Sequence, residues 1–239
     1  MPDYSKCLIC GEACRYSASA KSTQCMFCGE SFYANIICEN GHYICDECQT
    51  ERALEFITET CSKSRKKEAM ALAFELMSNK WVKMHGQEHA YLVAAVLLTA
   101  HKNRKHPTKA VYRNFPAMLD EARKRTGRIP VNSCSYWGCS GEAIGCGVFA
   151  SIVLKTSPMS EAERREANLL TSRALEQISV CGGPRCSKRD SITAILVASQ
   201  FTEERWKAPL TDFEGVECIF FKGNRDCIKG DCPFFPEPE

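Results

Sequence analysis

Residues 134–150 read C-S-Y-W-G-C-S-G-E-A-I-G-C-G-V-F-A, and residues 181–194 read C-G-G-P-R-C-S-K-R-D-S-I-T-A. Each stretch is a glycine-rich turn that runs into an apolar segment of helical period, with a cysteine at or near the expected helix start. Unpaired backbone N–H groups and the positive end of the helix dipole gather at such a start. Both favour thiolate over thiol and predict lowered thiol pKa values. Two such turns facing each other would frame a pocket suited to an anionic iron–sulfur cluster. The flanking segments predict a mainly α fold.

Working outward, the 239 residues carry a net charge of +2, which gives no electrostatic reason to expect nucleic acid or a membrane surface as partner. The longest apolar run, Ala90 to Ala100, is too short to span a bilayer. The unusual number is 17 cysteines, in a sequence whose first residues, M-P-D-Y-S-K-C-L-I-C, lack the basic-then-apolar pattern of an export signal. That combination predicts metal ligands in a cytoplasmic, strongly reducing and anaerobic setting rather than disulfides. Three regions are expected: a zinc-binding module at 1–49, a helical iron–sulfur domain at 50–215, and a cysteine-containing tail at 216–239.

The first region is too poor in large apolar residues to fold on a core alone, and domains of that size usually need metal staples. It holds eight ligands for two tetrahedral zinc ions: Cys7, Cys10, Cys25, Cys28, Cys38, His42, Cys45 and Cys48, with Cys14 left over. The pairing can be sequential or interleaved, and spacing does not choose. A single-iron site in the first quartet and a disulfide module are the alternatives. The expected product is a zinc-ribbon-like module able to dock a protein partner.

Residues 50–79 show apolar positions at helical spacing, and the segment after Gly86 reads as a helix buried on most sides. His85 and His89 lie at its start, four residues apart, with Glu88 one place too late for a zinc-protease motif. They are candidates for acid, base or substrate contact; otherwise they cap the helix entry. A further amphipathic helix is expected over 108–126, its basic end complementing the dipole.

The later cysteines lack paired C-x2-C knuckles. Cys134/Cys139 and Cys181/Cys186 share a wider C-x4-C spacing that suits a cluster several ångströms across. Lys188, Arg189 and two helix starts would offset its negative charge. Glycines at 138, 141, 145, 147, 182 and 183 suggest a large group lying against the backbone; tight helix packing is the alternative. Cys146 lines the pocket, serves as a persulfide carrier, or is a small buried residue. Cys218, Cys227 and Cys232 form a possible third site, either as a knuckle completed from elsewhere or as a lid on the cluster.

Gly138–Ser151 and Cys181–Ala194 resemble the cluster-binding segments of the iron–sulfur L-serine dehydratases, and the related L-cysteine desulfidases share that logic. The G-H-Y-I-C-D stretch and the G-G-P-R-C turn are similar to those of an uncharacterised cysteine-rich family of methanogenic archaea and anaerobic bacteria. The dehydratase resemblance implies Cys139, Cys181 and Cys186 as ligands of a [4Fe-4S] cluster with one open iron. Cys134 as a fourth ligand would close it. It also implies a non-redox lyase or sulfur-transfer enzyme acting on a small molecule. His85, His89 and Glu142 would then move protons, and Arg185 or Arg189 would hold a substrate carboxylate. A metal-binding assembly or electron-transfer protein with closed sites is the alternative.

Overall fold

The computed structural model describes residues 6–104, 112–211 and 215–236. Among these described residues two strands and eight α-helices follow one another: β1 (Cys14–Gln24), β2 (Ser31–Cys38), α1 (Asp46–Lys63), α2 (Ala69–Met77), α3 (Glu88–Asn103), α4 (Phe115–Thr126), α5 (Ser133–Tyr136), α6 (Gly141–Leu154), α7 (Ala162–Val180) and α8 (Ser187–Trp206). The fold is mainly helical, with a small cysteine-rich module at its start, as the sequence predicts. The first residues of the helix expected from Thr108 lie outside the described residues. Among the described residues no helix is long and apolar enough to cross a membrane.

Helix α3 is the axis of the domain. Its run of alanine, leucine and valine leaves every residue from Glu88 to His101 buried, so it must be covered on all sides. Each fully buried leucine or valine contributes about 1.5–3 kcal/mol. Helix α1 packs against it through Ala53, Ile57 and Cys61, one helical face spaced by fours. Helix α6 crosses α3 on one side and meets α7 on the other, and α8 closes the layer through Ile192, Ile195, Ala198 and Phe201.

The crossing of α6 explains its glycines. A Cβ on Gly145 would sit 2.4 Å from the carbonyl oxygen of Ala90 on α3. One on Gly147 would sit 2.1 Å from Thr171 Oγ1 on α7. These glycines let helices touch, so the packing alternative holds at both positions.

The N-terminal module is tied down at several points. Helix α1 begins inside it at Asp46, so the expected junction at 49/50 falls within a continuous helix. Lys80 Nζ donates to the Leu8 carbonyl at 2.7 Å, and Lys83 Nζ reaches Thr50 Oγ1 at 3.0 Å and Asp46 Oδ1 at 3.2 Å. The tail folds back on the start of α8. Its Cys218 N–H donates to the Phe234 carbonyl at 2.7 Å, and Phe220 packs on Phe74 with ring centroids 5.5 Å apart.

Candidate metal centres and an acidic pocket

The eight predicted ligands of the module gather into two quartets, and the pairing is interleaved. Cys7, Cys10, Cys38 and His42 form one; Cys25, Cys28, Cys45 and Cys48 form the other. The hairpin produces this arrangement. Antiparallel pairing sets Cys38 opposite Cys14, which returns the chain beside the first knuckle, while Cys25 and Cys28 lie in the turn between the strands. The chain then runs back along that turn, with Met26 N–H bonded to the Tyr43 carbonyl at 2.9 Å, and delivers Cys45 and Cys48.

The spacing suits one ion in each quartet. A tetrahedral zinc with bonds near 2.3 Å places its sulfurs roughly 3.8 Å apart. Cys10 and Cys38 are 3.5 Å apart, and Cys28 and Cys45 are 4.0 Å apart. His42 turns Nδ1 toward Cys10 at 3.3 Å and toward Cys7 at 3.7 Å. Backbone N–H groups point at the sulfurs of Cys7, Cys38 and Cys45, from Ile9, Asn40 and Cys48, each at 3.4 Å. Crowded thiols resist ionising together. Burial, with Cys10 and Cys7 alongside, pushes Cys38 up to about 11, and Cys45 followed by burial pushes Cys48 up to about 12. A cation reverses that repulsion, so these quartets could hold a metal ion by charge as well as by geometry. Cys14 stays outside both.

The later cysteines are arranged differently from the sequence expectation. Cys139 lies in the loop before α6, its thiol 3.5 Å from the Trp137 carbonyl. Cys181 is the C-cap of α7, the negative end of a dipole, and lines a groove between α7 and α8. Cys186 is the N-cap of α8 and lines a separate small cavity, which neither Cys139 nor Cys181 lines. The expected lowering of the thiol pKa is reversed at the second turn. Burial raises Cys181 and Cys186, and at Cys186 it outweighs the Arg189 backbone N–H and guanidinium. The double glycine of the second turn does take the left-handed conformation, with φ of 56° at Gly182 and 70° at Gly183. Cys146 is fully buried, its thiol against the Ala194 carbonyl at 3.3 Å and held protonated by burial; it is a core residue.

The other predicted site residues divide between two places. Glu142 and Arg185 line a cavity of about 230 Å³ at the heads of α3, α6 and α8, with Cys134 at its edge. Arg189 is elsewhere: it is buried, bonded to the Pro184 carbonyl at 3.0 Å and to Asp190 Oδ1 at 3.3 Å, and it lines the cavity of Cys186. His89 is fully buried with both ring nitrogens engaged, Nδ1 with Ser191 Oγ and Nε2 with the Lys83 carbonyl, each at 3.0 Å. Burial holds it well below the usual imidazole range, so it is a neutral strut at the helix entry. His85 is half-buried, its Nε2 3.3 Å from Asn224 Oδ1 in the tail.

The cavity at the helix heads contains two acids that sequence reading did not single out as functional, Glu88 and Asp190. Glu88 is 1% exposed; its Oε1 accepts from the Lys83 N–H at 2.8 Å, and its buried Oε2 has no partner. Burial raises its pKa. Asp190 is raised to about 7 by burial and then by the charge of Glu142. Glu142 itself accepts from Ser140 Oγ at 2.6 Å. A carboxyl group raised to about 7 beside other carboxyl groups in a cleft is a usual mark of proton-transfer chemistry.

Comparison with curated proteins and with solved structures gives no match. Residues 57–235, which comprise the last seven residues of α1, all later helices and the tail cysteines, match a family of unknown function, DUF5714, and the chain belongs to that family.

Proposed function

We propose that the chain is an enzyme of lyase or sulfur-transfer type that acts on a small zwitterionic molecule, such as an α-amino acid, in the pocket at the heads of α3, α6 and α8. The observation that carries this reading is the buried, unpartnered Oε2 of Glu88 beside Glu142, Asp190 and Arg185. A buried acceptor without a partner costs about 1–3 kcal/mol, and a ligand amine bound there would recover it. Arg185 is the one exposed guanidinium beside the acids and can fork a ligand carboxylate. The Glu142–Asp190 pair is then placed to take a proton from the bound molecule and return it to a leaving group. Cys134 lines the same pocket with an exposed thiol, and sulfur eliminated from a bound thiol substrate leaves as sulfide. Because Cys139, Cys181 and Cys186 do not line one cavity, no step is routed through an open iron held by them.

Isothermal titration of the anaerobically purified chain with L-cysteine and L-serine tests this reading. Binding is expected for both, with loss in Arg185→Gln and in Glu142→Gln and with no binding of 3-mercaptopropionate, which lacks the amine. Equal binding by the variants, or none by the parent, overturns it. The N-terminal module has a separate role in this proposal. Tyr16 and Tyr33 are exposed on its hairpin, at 74% and 81%, a feature suited to docking a protein partner.

A further inference from the structure

Four cysteines from two distant parts of the chain share one cavity. Cys186 at the head of α8 faces Cys218, Cys227 and Cys232 of the tail. Two local features repeat what the zinc quartets show. The N–H of Phe220 points at Cys218 Sγ and that of Lys229 at Cys227 Sγ, both at 3.4 Å and both from two residues downstream. Cys7 and Cys38 of the first quartet receive the same bond from Ile9 and Asn40, also at 3.4 Å. A backbone loop that turns its N–H onto a sulfur stabilises a metal-bound thiolate. At the fourth cysteine a side chain supplies the bond: Asn224 Nδ2 reaches Cys186 Sγ at 3.5 Å, and His85 holds the Asn224 oxygen at 3.3 Å.

The spread of the sulfurs distinguishes this site from the module. Among the described residues the ligand atoms that lie within 4.8 Å of one another are the two N-terminal quartets, and the four thiols here are not among them. They surround a wider centre than one ion occupies. All-thiolate ligation at that spread suits an iron–sulfur cluster. Phe220, Phe221 and Phe234 wall the cavity from water, and the buried Lys188 and Arg189 line it with positive charge. Four thiolates on a [4Fe-4S] core leave a net charge of about −2, which those two cations and the head of a 20-residue helix offset.

We propose that Cys186, Cys218, Cys227 and Cys232 hold a [4Fe-4S] cluster with all four corners ligated. Such a cluster has no corner for substrate. It fastens the tail to α8, whose first turn separates it from the acidic pocket: Arg185 and Asp190 face the pocket, while Cys186 and Arg189 face the cluster. The assignment goes beyond the enzyme reading and does not depend on it. Arg185→Gln is expected to abolish ligand binding with the iron count unchanged, so the two fail separately.

The test uses the full chain, purified without oxygen and reconstituted with ferrous iron and sulfide. Expected are about four irons and four sulfides per chain, and a Mössbauer spectrum in which no single iron shifts on adding L-cysteine. Cys218→Ala, Cys227→Ala, Cys232→Ala and Cys186→Ala should each lose the iron and keep both zincs and the helical circular dichroism. Cys139→Ala and Cys181→Ala should keep the iron. Retention of iron in the tail variants overturns the assignment. So does its loss in Cys139→Ala or Cys181→Ala, a third zinc in place of iron, or no metal beyond the two zincs. The retained zinc and helix signals separate loss of a ligand from failure to fold.

Discussion

Gly145→Ala is expected to destabilise the helical domain, by an amount that follows from the α3–α6 crossing. The added Cβ would lie 2.4 Å from the Ala90 carbonyl oxygen, well inside the roughly 3.5 Å optimum for non-bonded heavy atoms. The obstacle is backbone, and Val93 Cβ stands at 3.3 Å on the same side, so no side chain can rotate away. The helices must move apart, which costs about 3 kcal/mol at the upper end of the overpacking range. Alanine's better helix propensity returns about 1 kcal/mol. The net loss is about 2 kcal/mol, or roughly 4–8 °C in Tm for a chain of this size. Gly147→Ala is the internal control. Its Cβ would meet Thr171 Oγ1 at 2.1 Å, but that hydroxyl can rotate off its 3.0 Å bond to the Ala167 carbonyl. One hydrogen bond of about 1 kcal/mol is exchanged for about 1 kcal/mol of propensity, so Gly147→Ala should be near neutral. Thermal melts at fixed zinc and protein concentration provide the measurement. A Gly145→Ala chain as stable as its parent, or a larger loss at Gly147, would refute the packing account. Loss of bound iron at unchanged Tm would restore the idea that α6 lies against an inorganic group.

Cobalt substitution separates the two possible pairings in the module: Cys45→Ser should remove the all-sulfur cobalt spectrum and Cys7→Ser the Cys3His one, whereas sequential pairing reverses both outcomes. Ser199→Ala should cost at least about 2 kcal/mol in urea melts, because its buried Oγ accepts from the N–H groups of Leu210 and Thr211 at 2.8 and 2.9 Å and both would be orphaned. Glu88→Gln should gain stability over the parent as pH rises. Burial raises the Glu88 pKa in the folded state, so its stability contribution is full below the ordinary glutamate value near 4.3 and is lost as pH climbs through the folded value. Melts of both proteins from pH 5 to 8 should show the gap widening upward; a constant gap would contradict the assigned shift. The same variant should bind the amino acid less well.

The eight residues of the two candidate metal quartets are legible in the sequence as a set, since residue type and spacing separate them from Cys14. Their pairing is not, because it depends on a hairpin that returns Cys38 to the first knuckle, and loop lengths alone allow either result. The glycines of residues 138–183 carried two meanings under one residue type. Gly138, Gly182 and Gly183 supply left-handed turns, while Gly145 and Gly147 supply helix contact. Composition does not distinguish a glycine that clears space for a helix from one that clears space for a cofactor. Register against the two histidines does not mark Glu88 as functional. A charged residue at the mouth of an otherwise apolar buried helix was the stronger indication, since the chain leaves such a group without a partner only where something else supplies one.

Proximity along the chain does not decide which cysteines meet. Cys227 and Cys232 repeat the C-x4-C spacing of Cys134/Cys139 and Cys181/Cys186, so three such pairs exist, and helix capping decides which sulfurs meet. Cys181 ends α7 and Cys186 begins α8, so the turn between them points its two thiols into different surfaces. Cys186 shares the small cavity at the head of α8 with the tail cysteines, whereas Cys181 lies in the α7–α8 groove beside Pro233 and Phe234 of the tail. The same turn places Arg185 on the pocket side, so a single six-residue loop sets both the guanidinium that lines the acidic pocket and the sulfur that lines the tail cavity. Loss of the tail's grip on Cys186 would free that loop and should weaken amino-acid binding without touching any residue of the pocket.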